Sequence, residues 1–121
     1  MKNIFVVILI AIAGFYFLSG KTTANDSYKN ISTNEAKQLY QQPGYILLDV
    51  RTPAEISERS IAGSLNIPLQ EIEQRLSEIP QDKKLLVICR SGNRSRQAIQ
   101  ILSKHGYKEL YNVDGGISSW K

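Results

Sequence analysis

From residue 33 onward the chain alternates between two hydrophobic periods. Short stretches rich in apolar residues fall at 45–50, 64–67, 84–88 and 110–113, with Gly, Pro or a charged residue close to each end. Their length and flanks predict strands. Between them apolar residues recur at helical spacing. Ala36, Leu39 and Tyr40 give residues 33–41 an inward face, Ser32-Thr33-Asn34-Glu35 supplies a capping box in front, and Pro43-Gly44 stops the helix. Thr52-Pro53-Ala54-Glu55 again has a cap, a proline at the first helical position and an acid at the third, predicting a short helix to about residue 59. Leu69, Ile72, Leu76 and Ile79 predict a helix over 69–78. Ala98, Ile101 and Leu102 mark another that runs to about residue 104. There His105-Gly106 reads as its C-terminus, glycine closing the helix and the imidazole suiting the dipole. Asp114-Gly115-Gly116 turns into a terminal helical stub carrying Trp120.

Strands alternating with helices predict an α/β fold with a mostly parallel central sheet flanked by helices. Ahead of this pattern stands a run of another kind. Residues 4–18 are apolar without interruption and follow Lys2. A run with no polar face has no amphipathic stripe with which to lie on a domain. At ~1.5 Å per residue it spans roughly 22 Å, short of a ~30 Å hydrocarbon core, so residues 1–20 read as a signal peptide or a short signal anchor. Thr22-Thr23-Ala24 offers a mediocre cleavage site, and Lys2 on the short side favours a cytoplasmic start with the domain facing outward. The expected location is therefore the cell envelope, periplasmic or anchored to the inner membrane, with the N-terminus inserting in the membrane at least transiently. Residues 21–30 are polar and read as a linker, leaving 31–121 as the domain.

Composition narrows the chemistry. The chain of 121 residues holds one cysteine and one histidine, which excludes a Cys/His zinc site and an intrachain disulfide. The net charge is +4, and the only local basic cluster is Arg90, Arg94 and Arg96. That suits a small anion better than a nucleic-acid groove, which needs a longer basic stripe interleaved with aromatics.

The cysteine lies where a predicted strand ends and a helix begins, in Cys89-Arg90-Ser91-Gly92-Asn93-Arg94-Ser95. In parallel sheets ligands bind beyond the carboxyl ends of the strands. The first amides of a helix have no intrahelical partner, and the dipole is positive at that end. Gly92 lets the backbone aim several N–H groups at one point, and Arg90 and Arg94 add charge. Moving a thiol from ~8.5 to about 7 needs roughly 2 kcal/mol, of which a helix N-terminus supplies about 0.3–1 and a neighbouring arginine the remainder. Cys89 is thus a candidate nucleophile without a general base, in a pocket formed by Arg90, Ser91, Gly92, Asn93, Arg94 and Ser95. His105, roughly 15 Å along the helix from Ser95, is too far to serve as a base. Asp49 and Arg51 end another strand, and read as a structural ion pair or hydrogen-bond anchor beside the pocket. Trp120 reads as a packing lid.

The loop resembles the active-site loop of single-domain rhodaneses. Leu47-Leu48-Asp49-Val50-Arg51-Thr52-Pro53-Ala54-Glu55, Ile61-Ala62-Gly63-Ser64-Leu65-Asn66-Ile67-Pro68 and Gly115-Gly116-Ile117-Ser118-Ser119-Trp120 resemble three further blocks of that family, in the same order. One departure is Ser60, where the family often has histidine. The resemblance spans about residues 31–121 and implies a rhodanese-like α/β fold with helices on both faces of the sheet. It also implies a sulfurtransferase without cofactor that moves sulfane sulfur from thiosulfate, or a similar small anionic donor, to a thiol or cyanide through a Cys89 persulfide. The non-enzymatic alternative is a persulfide-relay or protein-binding module that does not turn over thiosulfate. The nearest enzymatic rival is a phosphatase, whose related loops carry Cys-x5-Arg; here Cys89 and Arg94 form the shorter Cys-x4-Arg, which suits a sulfur better than a phosphoryl group.

Overall fold

The computed structural model describes residues 28–121. Residues 1–20, read above as a signal or anchor, and the first part of the linker lie outside the described residues. Among the described residues no helix is long and apolar enough to cross a membrane.

The strands are β1 (Tyr28–Ile31), β2 (Tyr45–Asp49), β3 (Leu65–Asn66), β4 (Lys84–Ile88) and β5 (Leu110–Val113). The helices are α1 (Thr33–Leu39), α2 (Pro53–Glu58), α3 (Asn93–Lys104) and α4 (Gly116–Ser119). The five strands form one sheet in the order β1-β5-β4-β2-β3, with every pair parallel. This is the α/β arrangement that the alternating periods predict.

The sheet is buried on both faces, and the period of two in β4 divides the core. Leu85, Val87 and Cys89 join Ala98, Ile99 and Leu102 of α3 on one side. Leu86 and Ile88 join Ala36 of α1, Ile117 of α4 and Trp120 on the other. The caps act as the sequence requires. Ser32 accepts from the Glu35 amide, and Thr52 and Glu55 make a reciprocal capping box with Pro53 behind the cap. His105 is the C-cap of α3, and Gly106 follows at φ +91°.

Two expectations are corrected. Residues 28–30, assigned to the linker by their polarity, form strand β1. It is an edge strand in which Lys29 and Asn30 are exposed and only Ile31 is buried, so no apolar alternation marks it. Residues 69–78 are not one α-helix. They form two 3-10 segments, Leu69–Glu71 and Glu73–Glu78, with Arg75 at φ −120° breaking the turn. Their bonds span three residues, as in Ile72 N–H to Leu69 O and Ile79 N–H to Leu76 O. The segment has no side-chain cap, and its geometry serves to seat Ile72 and Ile79, both buried, against α3's face of the sheet. The 3-4-3 spacing of Leu69, Ile72, Leu76 and Ile79 is that of an α-helix, so seating Ile72 and Ile79 in the core overrides the local period.

Candidate active site

Neighbouring strands β2 and β4 lead to opposite edges of the sheet: the chain leaves β2 for β3 on one side and β4 for β5 on the other. Crevices form at such a switch point. In the register of these two strands Asp49 lies beside Ile88, and Val50 N–H bonds Ile88 O. Cys89 follows directly, at the carboxyl end of β4 and 1% exposed.

The cradle round the sulfur is built of backbone. Gly92, at φ +115°, is the left-handed residue that swings the chain from strand into α3, and its N–H donates to Cys89 Sγ at 3.0 Å. The terminal Gly-Gly turn holds the other side of the loop. Ile117 N–H bonds Cys89 O at 2.9 Å, and both the amide and the hydroxyl of Ser118 bond Arg90 O at 3.0 Å. A trans peptide points its C=O and N–H in opposite directions. Anchoring the Arg90 carbonyl on α4 therefore turns the Ser91 amide toward the sulfur. Ser95, fully buried in the first turn of α3, brings its hydroxyl to 3.5 Å from Sγ.

Burial pushes the Cys89 thiol up, but the Ser95 hydroxyl and the amides of Ser95, Gly92 and Ser91 together hold it below its ordinary value. The hydroxyl and amides thus act where the sequence assigns part of the work to an arginine. The arginines are disposed otherwise. Arg94 meets Glu55 of α2 in a two-pronged pair, Nη1 to Oε1 at 2.6 Å and Nη2 to Oε2 at 2.8 Å. Its charge still senses Cys89, but its donors are directed at a carboxylate. Arg90 is exposed and lines a cavity of about 280 Å³ beside Glu58, Arg59 and Ser118. Asn93 and Ser91 are exposed on the loop, and Asn93 Oδ1 accepts from Arg96. Asp49 and Arg51 are buried together, with Arg51 Nη2 to Asp49 Oδ2 at 2.7 Å and a further bond to Arg59 O. They anchor the loop after β2, aided by Asn66 Nδ2, which donates to the carbonyls of Asp49 and Arg51. Trp120 packs edge-on against Tyr40, on the face opposite Cys89.

The Arg94 guanidinium, with the Thr52 amide and hydroxyl, outweighs partial burial and lowers Glu55 from 4.5 to about 2. Its carboxylate therefore stays ionised in the folded chain after it would be protonated in the unfolded one. The stability it contributes is complete above pH 4.5 and is lost as pH falls toward about 2. Glu55→Gln is expected to cost about 1–2 kcal/mol at neutral pH, from the cap and the ion pair together. Urea unfolding at a series of pH values should show the gap from the unsubstituted chain closing in acid. A gap independent of pH would remove the ion pair from the account.

Several site residues escape the sequence pattern. Glu55 shows only its capping role there, not its pairing with Arg94. Asn112 stands inside an apolar strand, and that misplaced polar residue is the one local signal of a buried network. Its side chain reaches Ser95, and through Nδ2 it reaches Asn30 of β1 at 2.9 Å.

A parallel sheet that ends its central strand in a cysteine, under the amides of the next helix, defines a domain built round a buried thiol whose pKa those amides lower. Residues 32–121 match the family model described as "Rhodanese-like domain". A protein of Allochromatium vinosum named "Sulfurtransferase" is 40% identical over 89 residues, covering 74% of this chain and 83% of that protein. The "Thiosulfate sulfurtransferase GlpE" of Tolumonas auensis is 29% identical over 94 residues, covering 78% and 89%. Among solved structures, the rhodanese-related protein of Thermoplasma volcanium is 40% identical with a TM-score of 0.70, covering 77% of this chain and 90% of its own. The chain belongs to the rhodanese-like domain family.

Proposed function

We propose that the chain is a sulfurtransferase in which Cys89 carries sulfur as a persulfide, with thiosulfate or a similar small anionic sulfane donor as substrate. The observation that carries this reading is the cradle itself: a buried sulfur with Gly92 N–H at 3.0 Å, the Ser95 hydroxyl at 3.5 Å and the Ser91 and Ser95 amides beside it, which together lower the thiol's pKa. The Cys89 thiolate attacks the outer sulfur of the donor, an S–S bond forms to Cys89, the donor's S–S bond breaks, and its electron pair leaves on sulfite. A thiol or cyanide then attacks the outer sulfur of the persulfide and returns Cys89 as thiolate. Charge is conserved in both steps, and the amides that stabilise the thiolate stabilise the persulfide anion likewise.

The assignments within the loop follow from position. Ser91, Gly92 and Ser95 hold the anionic sulfur through backbone and hydroxyl. Arg90, exposed at the rim, attracts donor and leaving anions from solution, an action that weakens with salt. Arg94 shapes the rim through Glu55 rather than by gripping the donor, and Asn93 continues the loop surface. A phosphoryl reaction is disfavoured by the same pair, since the arginine it needs faces a carboxylate. The name of the Tolumonas relative supports thiosulfate as donor. The test is an intact-mass spectrum of the chain after thiosulfate, where sulfur loading reads as a gain of about 32 Da. No gain, with the thiol free, would leave the relay or binding module as the better reading.

We further propose that the domain is exported or held at the outer face of the inner membrane. Lys2 and the apolar run 4–18 support this. Residues 1–30 fused to a reporter active only outside the cytoplasm should give signal, and a stable but silent fusion would overturn the placement.

A further inference from the structure

Behind the cradle lies a chain of polar side chains that the transfer reaction does not require. Ser95 and Asn112 are both fully buried, inside an otherwise apolar wall. Ser95 Oγ stands 3.5 Å from Cys89 Sγ and 3.0 Å from Gly92 O, and it donates to Asn112 Oδ1. Asn112 Nδ2 donates at 2.9 Å to Asn30 Oδ1. Asn30 and Asn112 are direct partners in the register of β1 and β5, and Asn30 is exposed. The chain therefore runs from the buried sulfur to solvent across the edge of the sheet.

Its direction matters because Ser95 has one hydrogen. With Cys89 as a thiol every link points outward: S–H to Ser95, Ser95 to Asn112, Asn112 to Asn30. When Cys89 becomes an anion the first link has lost its donor, and the Ser95 hydrogen is still turned toward Asn112 or Gly92. If both amides turn over, every link reverses: Asn30 Nδ2 donates to Asn112 Oδ1, Asn112 Nδ2 to Ser95 Oγ, and the Ser95 hydroxyl to the sulfur. The oxygen and nitrogen ends of an amide are alike in size, so the reversal needs no extra room. At the exposed end water satisfies whichever group Asn30 presents. A lone acceptor in place of Asn112 could not do this, because it would hold the Ser95 hydrogen permanently.

We propose that Asn112 and Asn30 are positioning residues, which steer the Ser95 hydroxyl and so decide whether a hydrogen bond reaches the anionic sulfur of Cys89. The proposal builds on the reading of Cys89 as the sulfur carrier, but its test does not depend on sulfur transfer. The lowered thiol of Cys89 agrees with a donor at Ser95.

The test is Asn30→Asp, at an exposed position outside the cradle. A carboxylate only accepts, so it holds Asn112 Nδ2 and leaves Oδ1 facing Ser95, which locks the hydroxyl away from the sulfur. Cys89 is the only cysteine in the chain, so its titration is read from ultraviolet thiolate absorbance with Cys89→Ser as blank. Asn30→Asp should raise the Cys89 pKa by about one unit, the scale of one hydrogen bond to an anion. The rise should survive high salt, whereas the direct field of an exposed carboxylate is screened. It should vanish when Ser95→Ala is already present, because the route through the hydroxyl is gone. The charged groups round the loop, Arg94 with Glu55, Asp49 with Arg51, exposed Arg90 and Asp114, are the same in every variant. Circular dichroism checks that each variant is folded. An unchanged pKa, a rise that salt removes, or an equal rise in the Ser95→Ala background would each overturn the proposal and leave the asparagines as a tie between strands. A chain that takes no sulfur from thiosulfate, yet shows the coupled shift, would overturn the donor and keep the relay.

Discussion

Cys89→Ser is expected to abolish sulfur loading while the fold persists. No other residue can form the S–S bond, because Cys89 is the only cysteine in the chain. A serine hydroxyl in the same place remains protonated at neutral pH, so the cradle has no anion to present. The fold should tolerate the change. Cys89 is 1% exposed, so the new hydroxyl is buried, but Gly92 N–H and Ser95 Oγ already stand at hydrogen-bond reach of this position. A buried hydroxyl with partners costs far less than an unpaired one, so the expected loss is below about 1.5 kcal/mol. Intact mass after thiosulfate should show no gain, thiosulfate–cyanide turnover should fall to background, and circular dichroism should be unchanged. Turnover by the folded serine variant would dismiss the covalent mechanism.

Gly116→Ala should be the most damaging single methyl group in the domain. Gly116 adopts φ +57°, and a Cβ there would lie 2.3 Å from Cys89 O and 2.6 Å from the carbonyl group of Arg90. Those are backbone atoms, which cannot swing aside as the end of a side chain can. The methyl must therefore push α4 away from the loop, stretching the bonds from Ile117 and Ser118 to the same carbonyls. With the left-handed strain added, a loss of about 3 kcal/mol or more is expected. For a domain of this size that corresponds to roughly 12–24 °C in melting temperature. Gly106→Ala is the matched control, since Gly106 has φ +91° with nothing within 4 Å of an added Cβ, and it should cost only about 1 kcal/mol. Where Gly116→Ala still folds, the released carbonyls free the Ser91 amide to rotate, and the Cys89 pKa should rise. Equal melting temperatures for the two variants would show that the turn does not brace the loop.

The Gly116 effect traces to how the loop is held, which is where local sequence and tertiary structure part. The strand, glycine and helix around Cys89 are legible in order, because burial of β4 on both faces demands a continuous apolar run and α3 demands a periodic one. The caps of α1 and α2 are legible because each is made by residues three apart. The role of the arginines is not. Arg94 stands five residues from Cys89 in the chain, yet its guanidinium is directed by Glu55, thirty-nine residues away. Nearness along the chain suggested charge on the sulfur, whereas the fold brings the Glu55 carboxylate of α2 within reach as a better partner.

The sequence by itself determined the α/β alternation, the buried strands, the helix caps and the cysteine at a strand end, since each depends on contacts within a turn or on burial of a whole segment. Only the tertiary structure decided the edge strand β1, whose exposed residues carry no apolar signal. It also decided the 3-10 path of residues 69–78, the bracing of the loop by Gly116, and the Asn30–Asn112–Ser95 chain. Those features rest on hydrogen bonds and steric contacts between residues far apart in sequence, such as Asn112 and Asn30 at a separation of 82. A local pattern records what a segment must bury, but not which distant polar group will meet it there.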